Sequence, residues 1–176
     1  DKILKLMNRK HLISDYIKIY KKLKKINPKI EFSSDFIIGY PGEDEEDFEA
    51  TFDLIKNIRF INSFSFIFSP RPGTAASNYE LIEKKISIKR LERVQKQLFK
   101  NQIMKNKSHE GKEIRVLVEN KTSKNNKFFG RSEYMTSVIF GGSDNLVGKI
   151  VRVKIISSNK NTLFGEVVDQ SNQKVA

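Results

Sequence analysis

Residues 32–38, Phe-Ser-Ser-Asp-Phe-Ile-Ile, run through a Gly39-Tyr40-Pro41-Gly42 corner into five consecutive acids, Glu43 to Asp47. No other stretch constrains the fold as much. A short apolar run, cut by two glycines and a proline and followed at once by helical spacing, reads as a buried strand that turns directly into a helix. The acids open that helix, at the positive end of its dipole. Phe48, Phe52 and Ile55 then recur at helical intervals over a predicted helix 43–57. In α/β proteins ligands gather at the C-terminal ends of the strands, so the corner predicts a pocket rim.

The same unit recurs on both sides. Upstream, Ile13, Ile17, Tyr20, Leu23 and Ile26 mark a helix that Pro28 closes. Downstream comes an aromatic strand, 63–69, then the loop Ser69-Pro70-Arg71-Pro72-Gly73-Thr74. A long helix, 87–107, follows, with Ile88, Leu91, Val94, Leu98 and Phe99 predicted inward. Helix–strand–helix–strand–helix is the order of a parallel sheet with helical crossovers. Two strands make a poor sheet alone, and Asp1 opens almost directly into a helix. The expectation is therefore the second half of a larger α/β domain; a minimal domain completed by oligomerisation is the alternative.

Near 108–111 the pattern changes. Short β-rich segments at 113–119, 127–131, 136–141, 149–156 and 163–168 are separated by turn residues at Lys124-Asn125-Asn126, Gly141-Gly142-Ser143-Asp144 and Ser157-Ser158-Asn159. Five strands in so short a span predict a small OB-like barrel. The domains expected are 1–107, α/β, and 108–176, all-β.

The formal net charge is +12. Such an excess fits a polyanionic partner, although Lys outnumbers Arg 25 to 8, and a lysine-rich composition alone would also give it. The helix 18–29 carries six of these lysines, usually a solvated face. No cysteine is present, and His11 and His109 stand far apart. Disulfides and thiolate-held metals or clusters are thus excluded within these residues, and the histidines do not form a zinc site. No apolar run suits a membrane span and no signal peptide opens the chain, so a cytoplasmic protein is the default.

Three motifs are candidates for binding. The Gly39–Gly42 corner could present its backbone to a nucleoside, with Asp35 available for a ribose hydroxyl; its acids disfavour a phosphate, and its glycines could equally serve geometry alone. In the second loop, Pro70 and Pro72 stiffen the chain around Arg71, which could pair with a carboxylate or phosphate; an ordinary surface loop is the alternative. In the β-region, Lys127, Phe128, Phe129, Arg131, Phe140, Arg152, Lys154 and Phe164 interleave cations with aromatics, as in proteins that stack bases and track a phosphate backbone. Some of those Phe must instead fill the barrel. No triad, phosphate-binding loop or metal cluster is present to carry chemistry unaided.

The stretches 2–11, 33–43 and 63–74, followed by a terminal β-module, resemble the radical-SAM methylthiotransferases over essentially the whole chain. Residues 108–176 resemble the family's TRAM domain, with Gly130-Arg131-Ser132-Glu133 and the 148–154 strand in place. The resemblance implies the C-terminal half of a partial (β/α) radical-SAM barrel followed by the RNA-binding TRAM barrel. It implies S-adenosylmethionine and two 4Fe–4S clusters, whose cysteine ligands would precede Asp1, so that no catalytic or metal-binding residue falls in this chain and the chain alone would be inactive. The reaction implied adds a methylthio group to C2 of N6-dimethylallyladenosine beside the anticodon. Partners would be a tRNA anticodon stem-loop and reductant and sulfur-donor systems, with the protein a monomer. Arg9, Asp35, Ile38, Gly39, Phe68 and Ser69 match cofactor-side motifs. Arg71 and Thr74 match the substrate-side loop, and Lys127, Phe128, Arg131, Arg152 and Lys154 the RNA-binding barrel. Two alternatives are a family member acting on a ribosomal-protein aspartate and a cluster-free RNA-binding module. The Ser-Pro-Arg-Pro-Gly-Thr loop favours the tRNA branch.

Overall fold

A computed structural model describes residues 1–123 and 126–168. Lys124 and Asn125 of the expected 124–126 turn lie outside the described residues, as do 169–176 of the expected β-domain. The chain divides into two compact units between Leu98 and Phe99, within one helix. Each is described by itself.

In the first unit a short helix α1 (Lys2–Leu6) and α2 (Ile13–Ile26) precede β1 (Asp35–Ile38), α3 (Glu45–Ile58), β2 (Phe64–Ile67) and α4 (Lys84–Lys107). β1 and β2 pair in parallel, Asp35 beside Phe64 and Ile37 beside Phe66. The helices cover one face of this sheet. Phe36 and Ile38 point into a core with Phe48, Ile55, Ile58, Phe60, Val94 and Leu98, while Asp35 and Ile37 are exposed on the other face.

Three expectations are corrected. The strand at 32–38 is not buried on both faces. Strand pairing begins only at Asp35, and the pleat sends alternate residues to opposite sides. In α2, Tyr16, Ile17 and Tyr20 pack against the core, whereas Ile13 and Ile26 are exposed. In α4 the buried line is Ser87, Arg90, Val94 and Leu98, while Ile88 and Phe99 face outward.

In the second unit, β3 (Glu113–Lys121), β4 (Lys127–Ser132), β5 (Ser137–Gly141), β6 (Ile150–Ser158) and β7 (Thr162–Val167) close a barrel in the order β3-β4-β5-β7-β6. Closure leaves no free sheet edge. The interior is filled from alternate positions by Val116, Val118, Phe128, Val138, Phe140, Val151, Val153, Ile155 and Leu163. Gly130 is required where β4 crosses β3, because a Cβ there would lie 2.3 Å from the Leu117 carbonyl oxygen.

Candidate functional site

The corner after β1 is built around a buried carboxylate. Gly39 has φ +72°, and a Cβ on it would meet the Ser87 hydroxyl, so both the turn and the approach of α4 call for glycine. Its N–H donates to both carboxylate oxygens of Glu43, each at 3.2 Å. Arg90 reaches in from α4: Nη1 donates to Glu43 Oε1 at 2.8 Å and to the Glu43 carbonyl at 3.2 Å. Its Nη2 donates to Glu45 Oε2 at 2.8 Å, and the guanidinium lies 5.2 Å from the Phe48 ring centroid. Burial pushes the Glu43 carboxyl above its ordinary range, against the pull of the Gly39 N–H and of Arg90. Tyr40 seals the corner, its ring edge-on to Phe68 and its hydroxyl donating to the Leu6 carbonyl at 3.0 Å.

The acidic run is therefore largely paired within the fold. Glu43 turns inward, before the helix begins. Asp44 is the N-cap of α3 and accepts the Asp47 N–H at 2.9 Å. Lys2 lies 2.6 Å from both Asp44 and Asp47, and Arg93 lies 2.6 Å from Glu49. The hydrogen bond from Lys2, helped by the Asp47 N–H, brings Asp44 from 3.8 down to about 2. A lowered carboxylate stabilises the fold above its unfolded value and loses that contribution as pH falls through its folded one. The thermal midpoint of Asp44→Asn is thus expected to vary less with acid than that of the natural chain, from pH 3.8 down toward 2, as followed by circular dichroism.

The expected cofactor-side residues separate by face. Asp35 lies with Ile37, Phe64 and Phe66 on the open face of the sheet, where Phe64 and Phe66 are 64% and 54% exposed. The two Phe rings are stacked at 6.4 Å. Ile38 is fully buried on the opposite face, so its side chain packs, and its carbonyl accepts the Phe68 N–H at 2.8 Å. That bond draws Gly39 and Phe68 together at the C-terminal edge of the sheet. Ser69 and Arg71 are exposed beyond it. The Thr74 hydroxyl donates to the Arg71 carbonyl at 2.8 Å, closing the loop on itself. Arg9 is exposed in the α1–α2 connection.

On the barrel, the expected RNA-side residues divide in the same way. Phe128 is 0% exposed and belongs to the core, so it stacks no base. Phe129 is the outward aromatic of β4, with the Arg131 guanidinium 5.4 Å from its ring centroid. Arg131 stands opposite Leu117, and Arg115 opposite Arg152. Arg131, Arg115 and Arg152 thus form a basic surface across β4, β3 and β6. Glu119 lies 3.4 Å from Arg131 and Glu133 3.4 Å from Arg115. Lys154 continues β6 between Glu113 and Glu166. Lys127 lies apart, at the start of β4 opposite Gly141.

Sequence reasoning missed Glu43–Arg90 and the open aromatic pair. Arg90 was available as a signal, since Ser87, Arg90, Val94 and Leu98 recur at three- and four-residue steps. Phe64 and Phe66 were available from the strand's period of two.

Residues 1–55 match the Radical SAM superfamily and residues 107–168 the TRAM domain. The chain is 62% identical over 176 residues to the tRNA-2-methylthio-N(6)-dimethylallyladenosine synthase of Pelagibacter ubique (strain HTCC1062), covering all of this chain and 40% of that protein. The synthase of the same name from Ruthia magnifica subsp. Calyptogena magnifica is 46% identical over 96% of this chain and 38% of its own length. That of Wolbachia pipientis wMel is 43% identical over 94% and 38%. The chain thus spans 38–40% of the length of these relatives. Among the described residues, no helix is long and apolar enough to cross a membrane.

Proposed function

We propose that the chain belongs to the radical-SAM methylthiotransferase family and serves the branch that adds a methylthio group to C2 of N6-dimethylallyladenosine beside the tRNA anticodon. The observation that carries this reading is 62% identity, sustained over all 176 residues, to a synthase named for that product. The residues act in this reading with a cluster-bearing segment, because the chain itself contains no cysteine to hold iron and sulfur. Two 4Fe–4S clusters belong to that segment.

S-adenosylmethionine supplies the radical and the methyl group in this chemistry. The chain's own part is to hold and orient. Asp35 and the exposed Phe64–Phe66 pair offer a carboxylate beside a flat apolar face, which suits a nucleoside. Gly39, Phe68 and Ser69 lie beyond the C-terminal ends of the same two strands, and Arg9 is a cation of the α1–α2 connection. Ile38 contributes by packing, and Glu43 with Arg90 fixes the corner. Arg71, held forward by two prolines and a turn closed through Thr74, meets an anionic group of the RNA. Arg131, Arg152 and Lys154 track phosphates, with Lys127 a separate contact. A tRNA anticodon stem-loop is the partner, reductant and sulfur-donor systems complete the cycle, and a cytoplasmic monomer suits the role.

The test is nucleoside mass spectrometry of tRNA treated with the complete, cluster-reconstituted enzyme. The 2-methylthio product is expected, and its absence would remove the reading. Arg71→Ala is expected to lower product formation at limiting tRNA by about tenfold, the scale of one lost charged hydrogen bond. Unchanged turnover would remove Arg71 from the site while leaving the reaction in place.

A further inference from the structure

We propose that an open groove on the outer face of the barrel, next to the arginine surface across β4, β3 and β6, stacks one unpaired base of single-stranded RNA. The proposal rests on the RNA-binding reading above and adds a site to it. The groove has a volume of about 480 Å³ and is lined by Ile139, Ile156 and Phe164, with Thr122, Lys127 and Glu166 among its polar residues.

Its apolar lining runs against the pattern of the barrel. The pleat sends Val138, Phe140, Leu163 and Ile155 inward, so their neighbours Ile139, Phe164 and Ile156 occupy positions that would ordinarily be polar. Ile139 and Phe164 stand side by side in the parallel β5–β7 pairing. A register shift between Ile155 and Ser157 interrupts the β6–β7 ladder. It leaves Ile156 57% exposed beside them. Bulges re-aim side chains in this way near binding sites. The result is one half-exposed aromatic ring between two aliphatic side chains.

The rim indicates the occupant. Lys127 stands where β4 begins, opposite Gly141, which has no side chain to cover it. Thr122 and Ser157 add hydroxyls. Glu166 faces Lys154 across β6 and β7, so the rim is not acidic in sum. A flat apolar floor with one cation and several hydroxyls at its edge matches a nucleobase whose phosphate lies alongside. Such stacking tolerates any base, because every base has a π-face. The net charge of +12 supplies the long-range attraction that brings a polyanion to it.

The experiment measures binding of a short fluorescein-labelled oligoadenylate, and of tRNA, to the full chain by anisotropy across a salt series. The same oligomer carrying 2-aminopurine reports stacking by fluorescence quenching. Phe164→Ala is expected to weaken oligoadenylate binding about tenfold and to abolish the quenching, and Phe164→Trp to restore both. Lys127→Ala is expected to lower the slope of log affinity against log salt by about 1. Arg152→Ala is expected to weaken binding but leave the quenching intact. Circular dichroism confirms that each variant keeps its barrel. If the natural chain binds tRNA and Phe164→Ala binds and quenches as it does, the groove is not the stacking site and the RNA-binding reading survives. If the natural chain binds neither RNA at low salt, both the groove's role and the RNA-binding reading fall.

Discussion

Arg90→Met should destabilise the first unit by about 3–5 kcal/mol, the scale for breaking a buried ion pair from one side. Methionine keeps most of the contact with Phe48 but leaves Glu43 without its guanidinium, and Arg90 and Glu43 are 7% and 8% exposed. The loss should depend on pH in a defined direction. Burial is the largest influence on Glu43 and raises its carboxyl above the ordinary value of 4.5. Without Arg90 that influence is less opposed, and the folded variant takes up its proton at higher pH. A carboxyl raised on folding contributes most below its unfolded value, and that contribution disappears as pH rises through the folded one. The gap between variant and natural chain should therefore be small near pH 4.5 and widen toward neutrality in urea melts followed by circular dichroism. Adding Glu43→Gln should remove the pH dependence and recover much of the stability. A gap of the same size at every pH would mean that Arg90 matters for packing rather than for charge.

Phe128→Ala and Phe129→Ala should differ sharply although the residues are adjacent. Phe128 is fully enclosed with Phe140, Val116 and Leu163, and its truncation should cost the barrel about 3–5 kcal/mol. Phe129 faces outward beneath Arg131, and its loss should stay within about 0.5 kcal/mol of the natural stability. In RNA binding the order reverses: a folded Phe129→Ala chain has lost an outward, half-buried ring, while Phe128→Ala acts only through the fold. Equal destabilisation by the two would contradict the register of β4.

That pair also shows how far the sequence could be read. Turn residues and the change of hydrophobic period were enough to place the elements and to divide α/β from all-β. They could not assign adjacent phenylalanines to faces, because Phe128-Phe129 has no period of its own. The choice is made by pairing, with Phe128 opposite Phe140 and Phe129 opposite Ile139. The same ambiguity arises at β1, where Phe36, Ile37 and Ile38 are apolar in succession but only Phe36 and Ile38 are buried. The corner at Gly39 was legible as a strand-to-helix turn from its glycines and proline. Its internal carboxylate was not, because Glu43 looked like the first of five helix-opening acids and its partner Arg90 lies 47 residues away.

The strand order of the barrel has a consequence for how the chain is made. β3 finds its second neighbour only in β6, and β5 finds its own only in β7. Each pairing joins segments distant in the chain, which slows folding relative to local hairpins. During synthesis the β3-β4-β5 meander emerges first, carrying two unsatisfied edges and one apolar face. It stays unsealed until Thr162–Val167 has left the ribosome. The last strand is thus the closing stave, and loss of it should yield a sticky, aggregating precursor rather than a slightly weaker barrel.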